Sequence, residues 1–448
     1  MLRRLVAHTA CAALICATST ICARAYAETP QTAAPERAAD DVPRPLTLDA
    51  AIRIAVRRSD AIDATRQAAQ ATREAGEARG ALPAPELIGS ALRVPLARPW
   101  ALGDAMMVSV SVRQSFPANG ALGARQRADE IRATALEQSA SDRERHVARD
   151  VAHAFVEVQA ASLRHDAHLA HARALTQIVE VTRARLAAGG ARAVDVARAE
   201  AQRAMVDADL ATETAAIARA KAQLNALLRR DPYAALEVVP LGDAKSSVID
   251  ARTALRMARE GRADVRAVDA NARALDEEAA ALRQEARWPK WSVTAGWTAP
   301  TGAIPGHGYA LTLTTTLPWL WGPEKDLARA GASRAIAAHS EAREARARVV
   351  TEVASANADA VAYAEKLDAL VSRALPASQS AYAIALSSYA HGDGDAVSLL
   401  GAQRAVVEAE VAVIDTRVRL AHAVTELEWT VGARSTSAGG RRADGGSR

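Results

Sequence analysis

The stretch from Trp288 to Trp321 constrains the fold more than any other part of the sequence. It contains two runs, near 289–298 and 308–317, that alternate apolar and hydroxyl or glycine residues around a loop rich in Gly and Pro. Because successive side chains of a strand point to opposite faces, each run predicts a β-strand with one apolar and one hydroxyl face. Strands of about ten residues that end in aromatic residues are typical of membrane β-strands.

Aromatic residues are concentrated around the proposed strands. An indole or phenol ring favours the level of the lipid headgroups, where one edge of the ring is apolar and the other is wet. Six of the seven tryptophans lie in or beside proposed strands. The residues that we predict at the membrane interface are Trp100, Trp288, Trp291, Trp297, Tyr309, Trp319 and Trp321. The alternative is an ordinary soluble hairpin that packs on a core.

Residues 1–27 are predicted to be a secretory signal peptide. A basic start precedes an apolar run, and Ala25-Tyr26-Ala27 forms a cleavage site of small residues. All three cysteines lie in this segment, so the mature chain is expected to carry no disulfide. Lipidation of Cys22 is an alternative, which the bulky Ile21 before it disfavours.

The charge balance and the missing motifs exclude several classes of function. Cleavage after Ala27 removes three arginines, which leaves 53 basic against 52 acidic residues, so no nucleic-acid partner is expected. No apolar run after the signal is long enough for a spanning helix. No nucleophile–base pair, phosphate loop or Cys/His cluster is present, so we expect no enzyme and no cofactor. His165, His168 and His171 lack a carboxylate or thiolate partner set, and we predict surface histidines rather than a metal site.

The rest of the chain is a tandem duplication with an offset of 203 residues, which relates Gly189 to Gly392 and Ala51 to Ala254. Each half has the order helix, strand, strand, very long helix, shorter helix. The predicted segments are a flexible leader (28–45), a first repeat (46–247, strands near 86–94 and 106–116), a second repeat (248–432, strands near 289–298 and 308–317) and a disordered tail (433–448).

The long helices are predicted from composition and from the scarcity of breakers. Residues 121–186 are dominated by Ala, Arg, Glu, Leu and Val, and this length corresponds to roughly 100 Å of helix. Pro376 is expected to kink the long helix of the second repeat. Glycines are expected to turn the chain into the return helix at each tip, and these are Gly189, Gly190, Gly392 and Gly394.

Four strands per chain cannot close a barrel. An open sheet edge in lipid leaves unpaired backbone groups, and each costs several kcal/mol. Long alanine-lined helices also need neighbours on both sides. The chain is therefore expected to form oligomers, with a ring of helices beneath a ring of strands.

The whole mature chain, about 46–432, resembles the TolC-type outer-membrane efflux channels. The resemblance is carried by the opening LTLDAAIRIAVRRSDAI, the strand ends QSFP and TTLP, the tips RLAAGGARAVDVARAEAQR and SYAHGDGDAVSLLGAQR, and the closing LEWTVG. The strand pattern is most similar to the heavy-metal, CzcC-like branch.

The resemblance implies a fold class that is mainly α with membrane β. Tandem-duplicated helical hairpins would form a periplasmic α-barrel, and each chain of a homotrimer would add four strands to a twelve-stranded β-barrel. It implies a location in the outer membrane of a Gram-negative cell, in contact with lipid and extending into the periplasm. It also implies that the glycine tips meet a periplasmic adaptor protein and that an inner-membrane pump, of the RND type, supplies the energy.

Polar residues near the tips are candidates for an aperture or gate. His391, Asp393 and Asp395 of the second tip, with Asp195 of the first, would be repeated around a threefold axis and concentrate negative field. The alternative is a solvated polar turn.

The predicted function is a passive outer-membrane duct of a tripartite efflux system. The competing prediction is a periplasmic adaptor with coiled-coil hairpins, which explains neither the duplication nor the aromatic strand pairs. Metal ions, drugs and proteins all remain possible cargo.

Overall fold

The structure is a computed structural model that describes residues 42–94, 96–240, 250–301 and 306–432, all within one unit of the chain, Val42–Arg448. The predicted signal peptide, most of the leader and the predicted tail lie outside the described residues.

Each repeat has the order two helices, a strand pair and two longer helices, and in the second repeat a π-helix divides the first of the longer helices. The first repeat contains α1 (Leu48–Arg57), α2 (Asp60–Gly80), β1 (Glu86–Leu92), β2 (Met107–Phe116), α3 (Ala121–Ala187) and α4 (Ala193–Leu227), with a short 3-10 turn at Leu102–Asp104. The second contains α5 (Ala251–Gly261), α6 (Ala263–Arg287), β3 (Trp291–Ala299), β4 (Gly308–Thr315), α7 (Glu324–Ala369), a π-helix (Leu370–Ala374), α8 (Leu375–His391) and α9 (Ala396–Thr430). The mainly α fold class with a small sheet is confirmed.

The first helix of each repeat is broken, which composition did not predict. Thr47 caps α1 by accepting a hydrogen bond from the Ala50 N–H (3.3 Å), and the chain breaks before buried Ser59. The equivalent break in the second repeat falls at Arg262, which is only 4% exposed. Its guanidinium binds the Asp264 carboxylate at 2.6 Å and also the Glu352 carboxylate. Tertiary ion pairs therefore fix a break that helix propensity alone does not specify.

Buried alanine dominates the helix contacts, as the sequence predicts. The 67-residue α3 buries mostly alanine along its length, and this small side chain lets neighbouring helices approach closely. Larger apolar residues form separate clusters. One cluster joins α1, α3 and α4, a second joins α5, α7 and α9, and a third brings α3, α4, α8 and α9 together near the tips. Each repeat thus has its own core, and the two repeats share the core at the tips.

Pro376 changes the helix register without ending the helix. Proline has no N–H to donate to the carbonyl four residues earlier, that of Ser372. The structure accommodates this loss with the π-helix at Leu370–Ala374, whose wider turn lies directly before α8. The distortion that the sequence predicts at Pro376 is therefore present as a π-helical segment.

Candidate functional site

The four strands form one antiparallel sheet in the order β1-β2-β3-β4. The two hairpins join through β2 and β3, where Val112 lies opposite Ala295. Gly296 makes this pairing possible, because a Cβ atom there would lie 2.6 Å from the Ser111 Cβ atom. The duplicated hairpins therefore meet in the middle of a continuous sheet.

The register places most apolar rows of the sheet on one face, whereas Leu92 lies opposite Met107 on the other face. Rows of directly opposed residues cross the strands, such as Leu87, Val112, Ala295 and Leu311. The opposite face carries serine and threonine from β2, β3 and β4, as in the row that contains Ser109 and Thr298. Many apolar side chains of this sheet are exposed, with Tyr309 96% exposed. Such an exposed apolar face requires an apolar surrounding.

Aromatic residues bound the apolar face at both ends. Phe116 lies opposite Trp291 at the end next to the helices, and Trp297 lies opposite Tyr309 at the other end. The rise of a strand separates Trp291 from Trp297 by roughly 20 Å. A strand tilt of about 35–45° reduces this to a height of roughly 15 Å, and membrane strands likewise carry their apolar band between two aromatic girdles. The remaining interface tryptophans flank the strands in sequence: Trp288, Trp319 and Trp321 at the helix end and Trp100 in the β1–β2 loop.

Charged residues avoid the apolar face. Arg113 lies on the hydroxyl face, where its Nε donates to the Thr294 hydroxyl (3.3 Å) and its Nη1 lies 3.4 Å from a Glu86 carboxylate oxygen. Beneath the sheet, Glu285 binds Arg125 and lies 3.8 Å from Lys290. The sheet therefore has an apolar face, a polar face and a charged base.

Both tips use glycine turns and carboxylate caps. Gly189 (φ 78°) and Gly392 (φ 96°) adopt left-handed conformations, and a Cβ atom on Gly394 would lie 2.8 Å from the Tyr389 nitrogen. In the first tip, the Asp195 carboxylate accepts a hydrogen bond from the Arg192 N–H (3.1 Å). In the second tip, the acceptor is Asp395, which binds the Ser398 N–H (2.9 Å).

The candidate gate residues differ in the hydrogen bonds that their side chains make. Hydrogen bonds from Arg192 lower the pKa of Asp195, and hydrogen bonds from Ser398 lower the pKa of Asp395. Both carboxylates thus stay ionised while they cap helices. Asp393 is exposed, and the Nδ1 atom of exposed His391 lies 2.8 Å from the Ser387 carbonyl.

A contact that the sequence analysis missed connects the two tips. The Tyr389 hydroxyl donates to the Thr182 hydroxyl (3.1 Å) in a buried position. Arg185 donates to the Tyr389 carbonyl and stacks over the Tyr389 ring, with its guanidinium carbon 4.3 Å from the centroid. We call Thr182, Arg185 and Tyr389 the tip latch. The sequence contains one indication of this contact, because Tyr389 is one of only six tyrosines in the chain and lies in a helix.

The histidines of α3 provide no metal centre. His171 is buried, and burial followed by the nearby His168 lowers its pKa, which differs from the predicted surface position. His165 is partly exposed, with Nδ1 3.5 Å from an Asp166 oxygen. Within the described ranges no group of three or more His, Cys, Asp or Glu could hold a metal ion. The helices of these ranges also include none that is long and apolar enough to cross a membrane.

Solved structures share this architecture. VceC, an outer membrane protein of Vibrio cholerae, aligns with a TM-score of 0.72 and 19% identity over 86% of this chain and 96% of its own. The MtrE outer membrane channel of Neisseria gonorrhoeae, in its open state, gives 0.70 and 21% over 86% and 89%. CusC gives 0.74 and 16% over 86% and 92%. Comparison with curated proteins gave no match.

The duplicated helical hairpins and the four-stranded sheet give this chain a fold that solved outer-membrane channels share. Residues 254–433 match the family model described as "Outer membrane efflux protein". This match relates the second repeat, residues 254–433, to the outer membrane efflux protein family. The predicted family is confirmed for the second repeat, and the match supports the predicted outer-membrane location. The heavy-metal branch stays a prediction.

The family assignment also decides between the competing functions. An efflux channel is supported, and the adaptor alternative is not. The family consists of transport proteins rather than enzymes.

Proposed function

We propose that three copies of this chain join edge to edge into a closed sheet above a ring of helices, and that this assembly is a passive exit duct. The observation that carries the proposal is the four-stranded sheet with an exposed apolar face, a hydroxyl face and two aromatic rows. The apolar face would contact lipid, and the hydroxyl face with Arg113 would line water.

The sheet order supports closure by further copies. Among the described strands, β1 and β4 are the outer members of the sheet. Their directions are opposite, so β4 of one copy would pair antiparallel with β1 of the next. Each unpaired backbone group at an open edge in lipid costs several kcal/mol, which favours closure. Three copies would supply twelve strands.

The tips are the proposed contact with a periplasmic adaptor. Val194 and Val397 occupy equivalent positions in the two repeats, 203 residues apart, and are 45% and 52% exposed beside the glycine turns. An apolar residue repeated at both tips suits a partner that binds the two tips alike. An inner-membrane pump behind that adaptor, proposed as RND type from the family resemblance, would supply the energy.

The tip aperture is proposed to be gated. The tip latch holds the first tip against the second within one chain, and Asp393 and Asp395 would form rings of negative charge around a threefold axis. Such rings favour cations. Asp395 also caps α9, so its replacement would disturb the helix.

Cysteine crosslinking in the membrane tests the closed assembly. All three native cysteines lie within the predicted signal peptide, so the mature chain offers a clean background. Ser90→Cys on β1 is combined in turn with cysteine at each β4 position from Tyr309 to Leu313. We expect at least one pair to give a ladder of covalent dimers and trimers that stops at three.

The matched control is Ser90→Cys with Ser109→Cys. These hydroxyls lie 2.7 Å apart on neighbouring strands of one chain, so the bond would form within the monomer and give no ladder. Absence of crosslinks for every β4 position, in protein that pellets with the outer membrane, refutes the closed sheet. A ladder that continues beyond three refutes the threefold assembly.

Asp393→Asn tests the gate without uncapping α9. We expect single channels in planar bilayers to lose cation preference, read as a shift of the reversal potential in a salt gradient. Asp231→Asn, an exposed carboxylate in the loop after α4, is the control and should leave the reversal potential unchanged. Equal reversal potentials for wild type and Asp393→Asn would remove Asp393 from the gate.

A further inference from the structure

Two histidines from different repeats stack on each other where the long helices meet. His153 lies on α3 and His422 on α9, with ring centroids 4.3 Å apart and an interplanar angle of 27°. Nearby, Val156 and Ala160 of α3 pack against Val418 of α9. The stack is therefore part of the contact between the first and the second repeat.

The outer nitrogens of both rings lack hydrogen-bond partners. The Nε2 atoms of His153 and His422 are buried and make no hydrogen bond in the described structure. A carboxylate stands near each of them, with Glu426 3.6 Å from His153 Nε2 and Glu157 3.8 Å from His422 Nε2. These separations exceed those of charge-assisted hydrogen bonds, which are about 2.7–2.9 Å. Each ring thus lies beside a carboxylate with which it makes no hydrogen bond.

The surroundings oppose a charge on His153. Burial, followed by His422 and then Arg149, lowers its pKa to about 4, whereas Asp150 acts in the opposite direction. From α9, the titratable groups that face it are His422 and Glu426. The neighbouring α1 and α4 pack on this part of α3 through an apolar cluster that includes Val151 and Phe155. The neutral stack is therefore the state that the fold favours.

We propose that the His153–His422 stack is a proton-operated joint between the two repeats. The neutral His153 ring holds α3 against α9 through the stack. When His153 takes up a proton, its charge lies against the His422 ring, and the His153 ring is drawn instead toward the Glu426 carboxylate. The contact between α3 and α9 then loosens, and the first repeat moves more freely against the second. Regulation of transport by this joint rests on the proposed duct, whereas the His153–His422 joint itself is a property of the single chain.

The direction of the pH effect follows from the lowered pKa of His153. An unfolded chain takes up this proton near pH 6.5, and the folded chain takes it up near pH 4. The stabilising contribution of the neutral ring is therefore complete above pH 6.5 and is lost as the pH falls toward 4. The difference between these values corresponds to roughly a hundredfold or larger change in the ratio of folded to unfolded protein.

Thermal unfolding of the full-length protein in detergent at pH 7.5 and pH 5.0 is the first test. We expect the Tm of the wild type to fall at pH 5.0. The double variant His153→Phe, His422→Phe keeps two stacked rings and no titrating group, so its Tm should fall less. His165→Gln, on the same helix but next to Asp166, should behave like the wild type. Equal falls in Tm for the wild type and the double variant would overturn the joint.

A measurement on the wild type keeps the proposal testable if the double variant does not fold. Hydrogen–deuterium exchange at the histidine C2 positions, followed by mass spectrometry over a pH series, reports the protonation of each ring. We expect the midpoint of His153 to lie near pH 4. A midpoint near pH 6.5, the value of an unperturbed imidazole, would overturn the joint.

Single-channel recordings over the same pH range separate this proposal from the proposed function. Conductance that changes with pH in the wild type but not in the double variant supports regulation of the duct. Conductance that is independent of pH, in protein whose His153 titrates as expected, overturns the regulation and leaves the duct. Absence of channels at every pH counts against the duct, while the titration still decides the joint.

Discussion

Replacement of Arg185 by alanine is predicted to open the aperture by releasing one tip from the other. The Arg185 guanidinium donates to the Tyr389 carbonyl, lies over the Tyr389 ring, and donates through Nη2 to the Gly190 carbonyl (3.0 Å). Of these contacts, those with Tyr389 join the first repeat to the second. The Arg185→Ala variant keeps the hydrogen bond between Tyr389 and Thr182, so it weakens the tip latch without emptying the core.

The size of the effect follows from the contacts that are lost. A hydrogen bond from a charged donor contributes about 1.5–3 kcal/mol, and a cation over an aromatic ring at an exposed site contributes about 0.5–1 kcal/mol. Arg185 is half-buried, so solvent screens part of this energy and about 2 kcal/mol per chain is expected. That energy changes the ratio of closed to open tips roughly thirtyfold in each chain.

Planar-bilayer recordings measure this directly. We expect Arg185→Ala to raise the mean single-channel conductance. Tyr389→Phe, which removes the bond to Thr182 and costs about 1 kcal/mol, should give a smaller rise. Arg183→Ala is the matched control. This substitution removes the same charge from the same turn of the helix, but Arg183 binds Glu200 of its own hairpin. If Arg183→Ala and Arg185→Ala gave the same conductance, the tip latch would have no role in closure.

Two further substitutions test the sheet and the helix break. Gly296→Val is expected to disrupt the β2–β3 pairing, because its Cβ atom would lie 2.6 Å from the Ser111 Cβ atom, and to abolish the crosslinked trimer of the proposed assembly on gels. Gly89→Ala, where a Cβ atom meets nothing within 4 Å, should keep that trimer. Arg262→Met is expected to lower the free energy of unfolding by about 1–2 kcal/mol, because it removes the ion pairs with Asp264 and Glu352, whose carboxylates are 33% and 40% exposed and therefore partly screened by solvent; denaturant titration at neutral pH would detect the loss.

The sheet could be predicted from the sequence because alternation is a local property. The period of two around Trp291 and Trp297 assigned both strands and their faces, and the register confirms that the apolar residues share one face. The strand ends differ from the predicted ends by up to two residues. Alternation shows which face a side chain takes, whereas the last hydrogen bond of a strand depends on its partner.

The helix breaks could not be predicted in the same way. Ser59 and Arg262 are equivalent in the two repeats, and both lie buried between two helices. Neither residue is a strong helix breaker, although Gly261, the last residue of α5, weakens the helix directly before Arg262. Ion pairing of Arg262 with Glu352, a residue 90 positions away, also fixes this break. Pattern within a window carries no information about such a distant partner.

Some features of the tips could be predicted from the local sequence, whereas others depend on contacts between distant residues. The glycine turns followed from the need for a left-handed residue, and Gly189 and Gly392 adopt that conformation. Asp195 and Asp395 were weighed as gate residues from charge alone, and the structure shows that both also cap helices. The tip latch could not be predicted from the sequence, because Thr182 and Tyr389 lie 207 residues apart and come into contact only in the folded chain.

A comparison of equivalent positions shows how the duplication divides its tasks. Residues that the two repeats share include the buried Ala51 and Ala254 in the cores and the exposed Val194 and Val397 at the tips, where a partner that binds both tips meets the same surface twice. Residues that join one repeat to the other have diverged. Tyr389 corresponds to Leu186, and His153 to Ala356. This division has a physical cause, because a contact between two non-identical faces gains nothing from identical residues. A repeated partner, in contrast, binds best when both copies present the same side chain. Substitutions at diverged positions should therefore change the coupling between the repeats, and substitutions at the shared, exposed positions of the tips should change binding by partners.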